Sequence, residues 1–297
     1  MDIIGKKYLY FLISLIIIIP GLVSLILFGL NLGIDFTGGS RITLSFSNKV
    51  ESQAVETVKK LLTEQKIDIH IIQRSDNLIF IRTSPMDQRL NNQFINTLSK
   101  EFKGVKQIEF ETIGPTIGKE TTKNAIKAVL LASILIVLYI TWSFRKVPKP
   151  ASSLRFGICA IVALIHDVLV VVGVFSILGY FFKVEIDSLF VTALLTIIGF
   201  SIHDTIVVFD RIRENLKRMV GVPFAAVVND SILQTLARSL NTSITTLLVL
   251  FTLFLFGGES TKWFIVALLI GITSGTYSSI FNAAPLLVVW HEWGKKN

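Results

Sequence analysis

Six long apolar runs dominate this chain of 297 residues and decide most of what it can fold into. They cover residues 8–30, 128–144, 156–182, 189–209, 239–256 and 263–290. Crossing the hydrocarbon core of a bilayer takes roughly 20 residues of helix. A spanning segment must also satisfy its own backbone polar groups, and a helix does so. Apolar residues make up 52% of the chain and charged residues 17%, against about 25% charged in soluble domains. That balance argues against a water-soluble enzyme. The single cysteine, Cys159, rules out an intrachain disulfide, and no C-x-x-C or Cys/His cluster is present to hold zinc. No cofactor or metal is implied.

The first run follows Lys6 and Lys7, as the core of a signal peptide would. Its uncharged stretch is longer than the usual core of about 7–15 residues, and no A-x-A-like cleavage site follows, so it reads as a retained anchor. Six spans place alternate loops on opposite sides. One side carries thirteen basic residues: Lys6, Lys7, Arg145, Lys146, Lys149, Arg155, Arg211, Arg213, Lys217, Arg218, Arg238, Lys295 and Lys296. The short loops opposite carry only Lys183 and Lys262. By the positive-inside rule both termini are cytoplasmic. The net charge of +8 is therefore an orientation signal, and no nucleic-acid partner is expected.

Between the first two spans lies a segment of soluble character, residues 31–122. It divides the chain into 1–30 (N-terminus and first helix), 31–122 (an extracytoplasmic domain) and 123–297 (helices two to six). Within it, residues 41–46 alternate as a strand, and 51–66 form an amphipathic helix with Val55, Val58, Leu61 and Leu62 inward. Residues 67–73 and 78–83 read as a hairpin around Ser75-Asp76-Asn77. Residues 85–102 read as a second helix, and 105–113 alternate again. The order β-α-β-β-α-β is the ferredoxin-like split motif. The fold class is thus a membrane α-helical protein with six transmembrane helices and one extracytoplasmic α+β ferredoxin-like domain. His70 stands alone on a strand, and no nucleophile and base are placed together there. Gly33 to Gly39 reads as a tight turn capped by Asp35, and residues 114–118 read as a hinge into the second span.

The informative residues are the ionisable ones inside the spans. Placing a carboxylate at the centre of a bilayer costs about 2.5–3.5 kcal/mol on insertion scales, so such a residue marks function. Asp167 falls near the middle of the third span. Asp204 falls about five residues from the inner end of the fourth, roughly 7–8 Å deep by helical rise. Arg238, in a helical stretch starting after a cap at Asn229 or Asp230, is the available counter-charge. Its other reading is an arginine snorkelling to the headgroups. Desolvation favours the neutral acid and a nearby guanidinium favours the carboxylate, so separation and approach of the pair would load and expel a proton. Each proton falling through the membrane potential supplies ~2.3 kcal/mol per 100 mV. His166-Asp167 and His203-Asp204 repeat a dipeptide able to relay protons, although adjacent helical residues point about 100° apart. Gly271 and Gly275 suit close helix packing, and Ser274, Ser278 and Asn282 form a row able to lead water to Asp204.

Three stretches carry a family resemblance. They are Leu32-Gly33-Ile34-Asp35-Phe36-Thr37-Gly38-Gly39, residues 198–215 around His203-Asp204, and residues 236–247 around Arg238. Together, with six spans and one large outer loop, they resemble the SecF family within the resistance-nodulation-division superfamily. The resemblance implies a subunit of the bacterial inner-membrane export machinery. It implies a partner, SecD, completing a twelve-span pseudo-symmetric unit, a place beside the SecYEG translocon, and contact with unfolded polypeptide and membrane lipid. The proton-motive force would draw emerging polypeptide outward. Asp204 and Arg238 would then belong to the proton path, and Asp35, Gly38 and Gly39 to the link between membrane and head. The family has Asn where His203 stands and Tyr where Phe200 stands; His203 adds a titratable group, so the pH dependence and coupling ion are not carried over.

Two other functions use similar parts. An intramembrane aspartyl protease also needs two Asp on neighbouring helices, but they must face each other and share a proton, and its Gly-x-Gly-Asp stretch is missing. A half-transporter of the same superfamily exporting lipid or small molecules would use the same relay with different cargo.

Overall fold

The structure, a computed structural model, describes residues 1–145, 147–148 and 151–296. Lys146 and Lys149, counted above for sidedness, lie outside the described residues. The chain forms two compact units, one built from Met1–Asn31 with Lys127–Asn297 and the other from Leu32–Ile126. The division falls four residues beyond the boundary expected at 122.

The larger unit is a helical bundle. Its helices are α1 (Lys7–Phe28), the C-terminal part of α5 (Pro115–Ser143), α6 (Ser153–Phe182), α7 (Ser188–Arg218), α8 (Phe224–Phe256), α9 (Lys262–Ser278) and α10 (Ala284–Lys296). A π turn, Ser279–Ala283, joins α9 to α10, so the sixth run is one span with a widened turn inside it. Among the described residues, six helical segments are long and apolar enough to cross a bilayer. Local chemistry sets several starts. Ser152 accepts the Arg155 N–H ahead of α6, and Asp187 accepts the Phe190 N–H ahead of α7. The expected cap at Asn229 is not used, because α8 starts six residues earlier, after Pro223. The Asn229 side chain instead accepts the Ile3 and Ile4 N–H groups at 2.8 and 3.3 Å.

Buried small residues let the helices close up. A Cβ built on Gly21 of α1 would lie 2.8 Å from the Gly173 backbone of α6, so that crossing admits only glycine. At the N-terminal end of α6, Phe156 packs between Phe144 and Phe209 at centroid distances of 5.2 and 4.7 Å. Leu12 of α1, Leu130 and Leu138 of α5, and Leu248 and Leu255 of α8 are exposed, the pattern of faces that meet acyl chains.

The smaller unit runs α2 (Ile34–Thr37), β1 (Gly39–Ser45), α3 (Ser52–Glu64), β2 (Ile69–Ser75), β3 (Leu78–Thr83), α4 (Gln88–Glu101) and β4 (Lys106–Ile113), followed by the first turns of α5. The sheet order is β2-β3-β1-β4, and every neighbouring pair is antiparallel. Strand alternation sends Ile42, Leu44, Ile79 and Ile81 to one face, where Val58 and Leu62 of α3 and Phe94 and Leu98 of α4 cover them. β2 and β3 are joined through Asp76-Asn77, with Asp76 at φ 46°, a conformation its short polar side chain tolerates. His70 is exposed on β2.

Candidate functional site: two buried carboxylates

Asp167 lies midway along α6 and is 1% exposed. Its Oδ1 accepts from Ser274 Oγ at 2.7 Å and lies 2.9 Å from His166 Nδ1. Its Oδ2 accepts from Ser201 Oγ at 2.6 Å and Ser278 Oγ at 2.7 Å. An ionised carboxylate offers about four lone-pair sites, and here each is occupied. Bonds this short are typical of hydroxyls donating to a charged acceptor. Ser274 and Ser278 stand four apart on α9, hence on one face, and Ser201 comes from α7. Three helices are therefore tied through one side chain. Their approach depends on Gly275, where a Cβ would lie 2.9 Å from Ser201 Cβ, and on Gly271, where a Cβ would overlap Ile197.

Asp204 follows Ser201 by three residues, roughly 4.5 Å of helical rise, and is 3% exposed. Its Oδ2 is buried and has no hydrogen-bond partner among the described residues. The side chain reaching its carboxyl group is Ser243 of α8, whose hydroxyl also lies 2.5 Å from Thr276 Oγ1 of α9. Arg238 does not reach it. The arginine is exposed on α8, and among the described residues it makes no ion pair. Ser243, five residues further along, marks the level of Asp204, so Arg238 stands roughly 7.5 Å nearer the N-terminal end of α8. His203 is exposed on α7.

The repeated His-Asp pairs thus differ. His166 is 8% exposed, hydrogen-bonds its neighbour Asp167 despite the 100° offset, and stacks on Tyr277 at 6.3 Å with ring planes 24° apart. Ser274 and Ser278 serve Asp167 and not Asp204. Asn282, in the π turn, instead donates to Ser14 of α1 at 2.8 Å. Among the described residues no three His, Cys, Asp or Glu side chains gather as metal ligands. Nor do Asp167 and Asp204 share a hydrogen bond, so the common proton of an aspartyl dyad is missing.

The glycine-rich junction folds within the smaller unit. Gly38 and Gly39 have φ of 77° and 129°, which side chains rarely adopt. A Cβ at Gly38 would lie 2.8 Å from Pro115 Cα, and one at Gly118 would lie 2.8 Å from Gly38 N. Residues 115–118 are the first turn of α5, not the expected hinge. Asp35 is half-buried in the single turn of α2. Sequence reasoning missed Arg82 of β3, whose guanidinium donates to the Leu32 carbonyl at 2.7 Å and to Thr37 Oγ1. The signal was an arginine on the open face of an otherwise apolar strand.

Comparison with known proteins places this geometry. Residues 93–293 match the family described as protein export membrane protein SecD/SecF, C-terminal, and residues 23–50 match the SecD/SecF GG motif. The protein translocase subunit SecF of Thermobaculum terrenum is 48% identical over 98% of this chain and 94% of its own. That of Anaerolinea thermophila is 43% identical over 99% and 96%. A crystal structure of SecDF from Thermus thermophilus, titled a translocon-associated membrane protein, superposes with a TM-score of 0.85 at 36% identity over 98% of this chain. This chain spans 39% of that one, and 38% of the protein translocase subunit SecDF of Bacillus subtilis, to which it is 35% identical. With near-complete overlap on SecF subunits and both SecD/SecF signatures present, the chain belongs to the SecF family of protein translocase subunits.

Proposed function

We propose that this protein is an accessory subunit of the Sec translocase in the bacterial inner membrane, coupling proton flow to late-stage export of unfolded polypeptide. The observation that carries this reading is Asp204 Oδ2, a buried carboxylate oxygen with a vacant lone pair inside a spanning helix. A proton can land there without displacing any donor. Arg238 is the counter-charge whose approach, by movement of α8 against α7, would expel it. His203 lies next along the helix, an imidazole able to pass a proton on. The smaller unit is read as a ferredoxin-like split module on the outer side, with both termini cytoplasmic. Asp35, Gly38 and Gly39 form its junction with the membrane base.

A SecD partner accounts for a feature of the bundle surface. His203 on α7, and Arg238 and Asn241 on α8, are exposed at the depth of the spans. Arg238, at the end of its span, can snorkel to the headgroups, but His203 and Asn241 lie deeper and would pay a cost facing acyl chains alone. A second bundle with polar groups at this level removes that cost. In the SecDF chains the matched region is about two-fifths of the length, which leaves room for such a partner in the same polypeptide. SecYEG, the moving polypeptide and surrounding lipid are the remaining partners.

The test is Asp204→Asn, which keeps shape and volume and removes the exchangeable proton. Proton-dependent release of a secreted protein from membrane vesicles should be lost while the subunit still accumulates in the membrane. Release at the wild-type rate would remove the relay from this account.

A further inference from the structure

Three buried polar atoms of the helical unit have no hydrogen-bond partner among the described residues: Asp204 Oδ2, Ser239 Oγ and His166 Nε2. Buried polar atoms are nearly always paired, so each calls for a reason. The relay reading uses the first and leaves the third untouched. We propose that His166 is a second proton-binding site, in which Asp167 is a fixed anion that holds the Nδ1–H and leaves Nε2 as the atom that takes the proton.

The lone-pair count decides which member of the dyad can be protonated. Asp167 receives Ser274 and His166 on one oxygen and Ser201 and Ser278 on the other. With three hydroxyls donating into it, the carboxylate is an acceptor only, so His166 Nδ1 must be the donor across the 2.9 Å contact. The neutral ring then carries its other lone pair on Nε2. A proton arriving at Asp167 would have to displace one of four donors. One arriving at Nε2 displaces nothing: it adds to the lone pair, the Nδ1–H stays in place, and the pair becomes an imidazolium beside a carboxylate with no net charge. Such a pair is far easier to hold in a dry interior than the lone carboxylate it replaces.

The surroundings do not offer Nε2 a competing partner. From α9, Tyr277 stacks on the imidazole, and its hydroxyl donates to the Tyr10 carbonyl of α1 at 2.7 Å. From α7, Ser201 is committed to Asp167, Asp204 lies one turn further on, and His203 is exposed. The site goes beyond the relay reading and does not rest on it, since its occupancy is read without transport.

The experiment is 15N NMR of the full chain, labelled at its four histidines and held in lipid nanodiscs, with His166 assigned by the resonances lost in His166→Gln. Near pH 8, Nδ1 should be protonated and Nε2 bare; on lowering the pH to about 5, Nε2 should gain a proton while the Nδ1–H remains. A ring carrying its proton on Nε2 at the higher pH, or staying neutral throughout, would overturn the proposal. In Asp167→Asn the amide can still accept the Nδ1–H but the anion is gone, so the ring should stay neutral over the same range. An Nε2 that still gains its proton in that folded variant would remove Asp167 from its assigned part. The wild-type spectra decide the matter alone if the variant does not fold.

Discussion

Ser201 donates to Asp167, and one turn further along α7 Asp204 has an oxygen with no donor among the described residues. Both residues could be picked out in the sequence, because a carboxylate within an apolar run costs too much to be incidental. Which of them is saturated and which is open could not, since that depends on hydroxyls from α7 and α9 that lie 34 to 111 residues away in the chain. Arg82 makes the same point in the smaller unit: an isolated arginine in a strand carries no mark of the backbone carbonyl it will hold. Replacing it by lysine, which lacks the planar fork, should free the Leu32 carbonyl and Thr37 together. Losing a charged hydrogen bond is worth about 1.5–3 kcal/mol, so amide exchange of residues 33–39 should speed up at least about tenfold. Unchanged exchange would mean that the glycine turn holds itself.

At the level of elements, the sixth span shows how far a helical row can be trusted. Ser274, Ser278 and Asn282 repeat every four residues and read as one face. The first two do share a face, on Asp167, but the π turn from Ser279 widens the helix and swings Asn282 round to Ser14 of α1. Apolar periodicity carries no trace of one wide turn. The α7–α9 crossing is more legible, because small residues spaced by four announce close packing. Gly275→Val should wedge the crossing open, break the Ser201 and Ser274 contacts with Asp167, and lower both thermal stability and export. Gly199→Ala, at a position with nothing within 4 Å, should leave both unchanged. A stable, active Gly275→Val protein would show that the crossing tolerates a side chain. Ser278→Ala, which strips one donor from the buried carboxylate, should cost about 1.5–3 kcal/mol in denaturation of the detergent-solubilised protein.

On the scale of the whole molecule, the two units have separate cores, one built on Phe156 and Phe209, the other on Phe94 and Ile81. Phe94 is fully buried, so Phe94→Ala should destabilise the smaller unit by about 3–5 kcal/mol. Limited proteolysis should then cut within residues 32–114 while the spanning helices stay protected; equal loss of protection in both would mean that they fold as one. The six apolar helices, the smaller unit between the first two and the strand and helix order within it were all readable in the sequence. Each follows from a local rule: the length a bilayer demands, a period of two or of 3.6, or a turn that needs glycine or Asp. The cage of serines around Asp167, the open oxygen of Asp204, the separation of Arg238 from it, and the unpaired nitrogen of His166 were decided only by tertiary structure. Hydrogen bonding reaches about 3 Å, and which groups come that close is set by how helices distant in the chain rotate and cross.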